Sequence, residues 1–543
     1  MRRLLLCWIF FVLCVPLYAE QASEVLRIRN VYIRSRDVFD PAYPEFNTWY
    51  FRVANTLHVK TRDSFIRNEL LFREGDLLTP DLLRESERNL RRYNFLGEAS
   101  IKTERVNAEE TDVYVYTEDQ WTTAFDFSAG KTRGRRRLAL GVGEENFLGL
   151  GKKLALKYEE NYERESLGFL FIDPQFLNTH YRVQLGLTDS SDGYSNAISI
   201  IQPFYAESTR WSYGVYLNRE RRANHIYYQG TDAAAIDSSR QSTNLFATRA
   251  WGERYGRLRL GVTVGFQESL FADEPQIFDP EAAMTEQVQR NLDPEDKRLL
   301  SYGLNLNRDW VKRHVRFSYF DRFGRTEDYP IGFYAGVSLA RFMDSEGPDS
   351  VGGMLTARWS AAPAKSQFMV SRGRLSIRRE QEMWNNVIAE WWLHYYVQQG
   401  PAQYWFFRSP RQTLAFNLSS IWTREVDAPF QVSLGEDEGL RGYTSKRFNG
   451  SSRILFNFED RIFTTWENRF AGIGVVPFFD AGYVWDAASD AADFGASVGI
   501  GLRIGFKKYG RTKILRLDLA RPLTGEGGFS LSVASGHVFE VFQ

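Results

Sequence analysis

From Trp121 to the end of the chain, apolar and polar residues alternate with a period of two, as in strands that have one greasy and one wet face. Leu258, Leu260, Val262, Val264 and Phe266 share one side of such a segment, and Arg257, Arg259, Gly261, Thr263 and Gly265 share the other. The same alternation sets Ala496, Val498, Ile500, Leu502 and Ile504 against Ser497, Gly499, Gly501 and Arg503. It also sets Leu515, Leu517 and Leu519 against Arg516, Asp518 and Ala520. At least sixteen segments of this kind lie between Trp121 and Phe542, with aromatics at segment ends (Tyr483 and Trp485; Trp391, Trp392, Tyr395 and Tyr396). A soluble sandwich of that many strands would need two cores, whereas a closed barrel in lipid needs none and leaves no edge. Gly252 to Gly256 and Ala362 to Lys365 read as short turns of one rim. Glu268 to Arg298 reads as a long polar, extracellular loop of the other.

Between Val25 and Glu118 the pattern is mixed and predicts strand, helix, helix, strand, strand. Leu26 and Ile28 alternate with Arg27 and Arg29 before Val31 and Ile33 shift the phase. A first helix is predicted over Arg62 to Leu71. Thr79 then caps a second, with Pro80 at its first position; Leu82, Leu83, Leu90 and Tyr93 recur near helical spacing, and Gly97 is the expected stop. Strands Ala99 to Val106 and Thr111 to Thr117 close the unit, Val113 and Val115 on one face and Tyr114 and Tyr116 on the other. The insertion Arg36 to Tyr50 interrupts this order without a periodicity of its own.

Composition narrows the class. Lys plus Arg number 68 and Asp plus Glu 68, so charge alone provides no nucleic-acid surface. After the first twenty residues no apolar run is long enough for a membrane helix. Arg2 and Arg3 ahead of Leu4 to Leu17, ending at Tyr18 and Ala19, read as a signal peptide over residues 1–19. Residues 20–120 then form a small α+β domain and 121–543 a transmembrane β-barrel. Cys7 and Cys14 both fall in the signal peptide, so the exported chain has no thiolate ligand. The six histidines are isolated, which argues against a metal site. Gly495-Ala496-Ser497-Val498-Gly499 fits the G-x-S-x-G pattern but lies mid-strand, where a nucleophile elbow requires a strand-to-helix turn. No enzymatic activity and no cofactor are expected.

The β-α-α-β-β order around "FREGDLLTPDLLRESERNLRRYNFLGEASI" resembles one polypeptide-transport-associated (POTRA) domain. Seven further motifs follow in order: "ENFLGLG" and "DPQF" early in the barrel, then five in its C-terminal third, "GLRGY" (439–443), "NFEDR" (457–461), "FFDAG" (478–482), "GASVGIGLRIG" and "LRLDLARPL". Together they resemble the barrel of the outer-membrane assembly-factor superfamily, the BamA and TamA type. The resemblance implies sixteen strands; surplus segments around Ile198 to Asn218 and Met354 to Arg378 leave eighteen to twenty open.

It also implies a lumen latch in which Arg441 is tucked inside the barrel against Asp480. The latch comprises Gly439, Leu440, Arg441, Gly442 and Tyr443 with Phe478, Asp480 and Gly482. Alternation puts Phe478, Asp480 and Gly482 on one face, opposite Phe479, Ala481, Tyr483 and Trp485, which take the lipid side. A guanidinium suits an inward carboxylate because it can donate two parallel hydrogen bonds. Gly442 and Gly482 let the loop lie close to the wall. Asn457, Glu459 and Arg461 share a face and extend the polar network; the alternative is independent solvated lumen charges. The last strand is expected over Phe529 to Val541, with Phe529, Leu531, Val533, Phe539 and Val541 outward, closing on Trp121 to Gly130. Gly527, Gly528 and Gly536 would weaken that closure. The basic run Lys131, Arg133, Arg135, Arg136 and Arg137 reads as a first extracellular loop, either solvated or facing lipopolysaccharide phosphates.

By resemblance the protein is an outer-membrane assembly or translocation factor whose N-terminal domain lies in the periplasm and captures polypeptide by strand addition. Its implied partners are unfolded outer-membrane or secreted polypeptides, outer-membrane lipid and periplasmic accessory proteins, and no nucleic acid. A dedicated two-partner-type secretion transporter is one alternative, although that group usually carries two POTRA domains and a plug helix. A plain diffusion porin is the second, and a lipid-handling or membrane-bound enzyme a third.

Overall fold

Strand β1 (Arg27–Arg36), β2 (Leu96–Arg105) and β3 (Glu110–Asp119) form an N-terminal sheet in the order β1-β3-β2, with β1 parallel and β2 antiparallel to β3. The structure is a computed structural model. It describes residues 26–539 apart from 133–134, 253–255, 321–322, 324–325, 405–407, 469–470, 487–490, 507, 509–513 and 526, so the expected signal peptide lies outside the described residues. The phase change read between Ile28 and Val31 is a register shift in the β1–β3 ladder, which returns Val31 to the buried face.

Three helices pack nearby: α1 (Trp49–Leu57), α2 (Asp63–Glu69) and α3 (Pro80–Arg91). Thr79 Oγ1 accepts from the Leu82 amide, satisfying one of the free donors at the start of α3. Phe65, Ile66 and Leu90 from α2 and α3 meet Ile28, Val113 and Val115 in one core, while Tyr32 stacks on Tyr114 on the opposite face of the sheet. Gly97 does not stop a helix. It sits in β2, where a Cβ would lie 2.0 Å from the Gln120 side chain, so a packing demand selects the glycine. The insertion contributes a short 3-10 turn at Pro44–Phe46 and then α1, an element that period reading missed.

Among the described residues, twenty long antiparallel strands close into a barrel, from Thr123–Thr132 to Ser530–Ser535. The resemblance implied sixteen. The surplus segments are genuine wall strands, Gly193–Gln202 and Trp211–Tyr228, then Ser350–Ala361 and Gln367–Glu380, each bonded on both sides. The early strands are short, and those from Trp211 to Asp344 run to 22 residues, so the wall stands tallest on that side. Leu260, Val262, Val264 and Phe266 are exposed on the outer face, as are Val498, Ile500 and Leu502. Trp391 is exposed on the outer face, but Tyr396, in the opposite phase, is fully buried inside.

The last strand is shorter than expected. It ends at Ser535, because Gly536 takes φ 86° and turns the chain inward. Phe539 is therefore buried among Phe317, Phe320, Phe368 and Tyr396 inside the barrel, and does not face lipid. Val541 and Gln543 lie outside the described residues. Closure on the first strand pairs Ser532 with Gly130 and Val533 with Ala129 among the described residues, whereas the first hairpin pairs from Thr132–Arg135 down to Thr123–Glu144.

The small domain is seated on the turns of one rim. Arg62 donates its amide to the Gly149 carbonyl at 2.9 Å, and Asn146 Nδ2 donates to Thr61 Oγ1 at 2.9 Å. Gly151, at φ 66°, makes room for Phe65, whose ring a Cβ would approach to 2.2 Å. Gln175 Nε2 donates to the Phe65 carbonyl and to Glu69 Oε1, which also accepts from Tyr93. The motifs "ENFLGLG" and "DPQF" are thus the seat of the N-terminal domain.

Candidate functional site: a charged latch across the lumen

A loop from the far rim, residues 425–451, descends between the strands Arg411–Arg424 and Ser452–Glu467. Gln431 exchanges two hydrogen bonds with the backbone of Tyr227 at the tip of the tall hairpin, and the Phe430 amide donates to Asn291. Two short helices, α4 (Pro280–Ala283) and α5 (Glu286–Gln289), pack beside that tip through Ala283 and Val288. The loop thus starts from a fixed position and carries its "GLRGY" stretch into the barrel.

There Arg441 is bound on several sides. Its Nε and Nη2 donate to the two oxygens of Asp480 at 2.7 and 2.8 Å, its backbone amide reaches Asp480 at 3.3 Å, and Nη1 donates to Glu459 at 2.8 Å. The guanidinium lies 3.5 Å from the centre of the Phe478 ring. Asn457 Nδ2 bridges Asp480 Oδ1 and the Gly439 carbonyl, at 2.8 and 2.7 Å. Both charged partners are buried, Arg441 at 2% exposure and Asp480 at 0%. Unpaired, either would carry a large desolvation cost.

Glycines set the spacing. Gly439 and Gly442 adopt φ 103° and 90°, which L side chains rarely take. At Gly482 a Cβ would come within 2.4 Å of Leu434; at Gly495, within 2.7 and 2.8 Å of Phe448 and Leu440; at Gly499, within 2.2 Å of Phe478. The G-x-S-x-G pattern therefore marks two seats for lumen side chains. Tyr443 Oη donates to the Ala496 carbonyl at 2.9 Å and so pins the loop's far end to the same wall.

Every latch residue expected from sequence lies here, and the structure adds four. Arg503 pairs with Asp518, Arg516 lies 3.4 Å from the same carboxylate, and His537 Nδ1 lies 3.9 Å from Glu459. Alternation had placed Arg503, Arg516 and Asp518 on the wet face. Their grouping depends on register, which sets Arg503 directly opposite Arg516, so Asp518 must separate two like charges. Arg461 Nε donates to Glu459 at 2.9 Å, and its other nitrogens donate to the carbonyls of Phe320 and Phe539 at 2.8 and 2.9 Å.

The rim nearest the small domain is filled as well. Phe323 sits over a floor of Gly472, Gly474 and Gly505, where a Cβ would approach its ring to 2.7, 3.3 and 2.1 Å. Between the latch and the inner faces of the first strands lies a cavity of about 1010 Å³, lined by Asp126, Lys153, Lys157, Glu159, Asp437 and Arg516. Arg137 ion-pairs with Asp437 across it. The side chains of residues 131–136, the rest of the basic run, lie outside the described residues.

The chain is thus a small α+β domain seated on a closed antiparallel barrel whose lumen is crossed by a cluster of buried charges. Residues 55–118 match the POTRA family, described as "Surface antigen variable number repeat". The chain is 24% identical over 272 residues to "Outer membrane protein assembly factor BamA" of Neorickettsia risticii (strain Illinois), a match covering 49% of this chain and 30% of that relative. Among solved structures it is similar to "CdiB from Escherichia coli", at 12% identity and TM-score 0.45, covering 94% of this chain and 76% of that one. It is also similar to "The crystal structure of BamA from Haemophilus ducreyi lacking POTRA domains 1-3", at 14% identity and TM-score 0.36, covering 94% and 85%. Residues 55–118 are thus a POTRA domain, and the chain is similar in sequence over about half its length to a BamA-type outer-membrane assembly factor.

Proposed function

We propose that this protein assembles or translocates polypeptides at the bacterial outer membrane, with its POTRA domain in the periplasm receiving the client and the barrel seam admitting it. One observation carries the reading: among the described residues the barrel closes through two residue pairs, Ser532 with Gly130 and Val533 with Ala129, beside a polar cavity. A strand that is barely paired exposes donors and acceptors which an incoming strand can satisfy. The network around the latch is uneven in a way that fits. Arg441 and Asp480 are bonded several times over, whereas both ring nitrogens of His537, on the tail that follows the last strand, lack a hydrogen-bond partner among the described residues. The tail is held by the Arg461 bond to the Phe539 carbonyl and by burial of the Phe539 ring, fewer ties among the described residues than the loop has. Burial of client side chains in lipid supplies the driving free energy, and no nucleotide is needed.

A dedicated exporter of one substrate, built on the same kind of barrel, is the second reading. A diffusion porin fits poorly, since loop 425–451, Phe323 and Phe539 all occupy the lumen. Depletion followed by quantification of the outer-membrane proteome tests these readings. Loss of many barrels supports an assembler, loss of one secreted protein supports an exporter, and loss of neither contradicts both. A disulfide between Gly130→Cys and Ser532→Cys is expected to block activity until reduced.

A further inference from the structure

Helix α1 (Trp49–Leu57) has no buried residue, although it belongs to a folded domain. At about 100° per residue, Phe51, Ala54, Asn55 and His58 share one side of it, and Trp49, Tyr50, Val53 and Leu57 fall within an arc of about 100° on the other. The first side is anchored. Asn55 exchanges hydrogen bonds of 3.1 and 2.7 Å with the backbone of Phe39, Phe51 packs on Phe39 and Phe46, and His58 Nε2 lies 3.0 Å from Asp119. Among the described residues the second side is bare apart from the Tyr50 ring, which leans on its helix neighbours Phe51 and Trp49; Trp49 and Leu57 are each 72% exposed.

The position of the helix identifies what covers that face. Phe39 packs against Trp121, the residue at the foot of the first barrel strand. By alternation Trp121 is in phase with Phe125 and Phe127, which are exposed on the barrel's outer face. Lys508, on the neighbouring turn, accepts from the Trp121 amide at 2.8 Å and places its ammonium 5.7 Å from the Phe46 ring. The helix therefore hangs outside the wall, level with the end of the lipid-facing surface and continuous with it. Its sequence from Thr48 to Arg62 holds no acid, and Arg52 is exposed beside the apolar arc. Tryptophan and tyrosine next to a cation on a short amphipathic helix are the side chains that settle at a headgroup boundary.

We infer that α1 is an interfacial helix, laying Trp49, Tyr50, Val53 and Leu57 into the phospholipid leaflet on the POTRA side and fixing that domain against the bilayer next to the seam strand. This rests on the membrane-spanning reading of the barrel, and the experiment separates the two. The chain has no cysteine after Cys14, so single cysteines can be spin-labelled at Leu57, at Leu260 on the outer wall and at Thr103 on the far edge of the POTRA sheet. The full-length protein is placed in vesicles of phosphatidylethanolamine and phosphatidylglycerol, and label collisions with oxygen and with a water-soluble nickel chelate are compared. Labels at Leu57 and Leu260 are expected to favour oxygen, and the label at Thr103 the chelate. Adding Trp49→Glu is expected to shift the Leu57 label toward the chelate while the Leu260 label is unchanged. A Leu57 label that behaves like Thr103, or that is shielded from both reagents by protein, overturns the inference while leaving the barrel intact. A Leu260 label that favours the chelate overturns both.

Discussion

Arg461 donates to the carbonyl oxygen of Phe539 at 2.9 Å and to Glu459 at 2.9 Å, so one guanidinium joins the C-terminal tail to the carboxylate that also receives Arg441. Loop 425–451 enters from one rim and the tail from the closure seam, and they meet at a shared ion cluster in the middle of the wall. Whatever loosens Glu459 loosens both.

Removing one member of a buried ion pair leaves its partner charged and dry, at a cost of about 3–5 kcal/mol. Arg441→Ala is therefore expected to free loop 425–451, read as new protease cleavage between Gly435 and Arg447 in a barrel that still shifts on heating in gels. Asp480→Asn is expected to act in the same direction with a smaller effect. Full activity in both variants would contradict the latch.

Gly499 is required by the Phe478 ring and by the Leu519 carbonyl, which a Cβ would approach to 2.2 and 2.4 Å. Gly499→Ala is expected to destabilise the folded barrel by about 1–3 kcal/mol, the usual cost of overpacking. Phe478→Leu should recover part of that loss in the double variant. Urea unfolding in vesicles measures the coupling, and strictly additive effects would show that the two side chains do not compete for space.

Charge on the two faces of one strand separates lipid from lumen. Leu260→Arg on the outer face is expected to cost about 2–4 kcal/mol if it lies near mid-bilayer. Thr263→Arg, in the opposite phase, should cost far less. Equal effects on folding yield in vesicles would argue against the assigned faces.

Burial holds the Tyr93 phenol well above its usual value of 10, aided by the Glu69 carboxylate to which it donates at 2.8 Å. A group whose folded pKa is raised contributes stability that is complete below the unfolded value and is lost as pH rises beyond it. The POTRA core should therefore weaken above about pH 10, and Tyr93→Phe should flatten that part of the profile. Amide exchange in α2 and α3 across this range is the measurement, and an unchanged slope in the variant would count against the assignment.

Much of this was legible in the residues. Period-two alternation assigned Asp480, Glu459 and Arg461 to the wet face and Leu260 and Ile500 to the greasy one, because a strand gives its side chains only two directions. Thr79 with Pro80 announced α3 by capping chemistry. Gly97 misled, since a glycine demanded by a neighbouring side chain looks the same in sequence as one demanded by a helix end. Phe539 misled as well: its phase is outward only while the strand continues, and Gly536 ends it.

By itself, then, the sequence determined which side of most ribbons faces water, the strand–helix–helix–strand–strand order of the small domain, and that an arginine and an aspartate are available on one inner wall. It could not decide how many ribbons close the ring, which inward charges become neighbours, or that α1 is left with a bare apolar face. Those depend on register and closure, and they are set by contacts between positions hundreds of residues apart. Arg461 reaches Phe320 and Phe539, and Arg441 reaches Asp480, only because twenty strands curve round and bring their inner faces together.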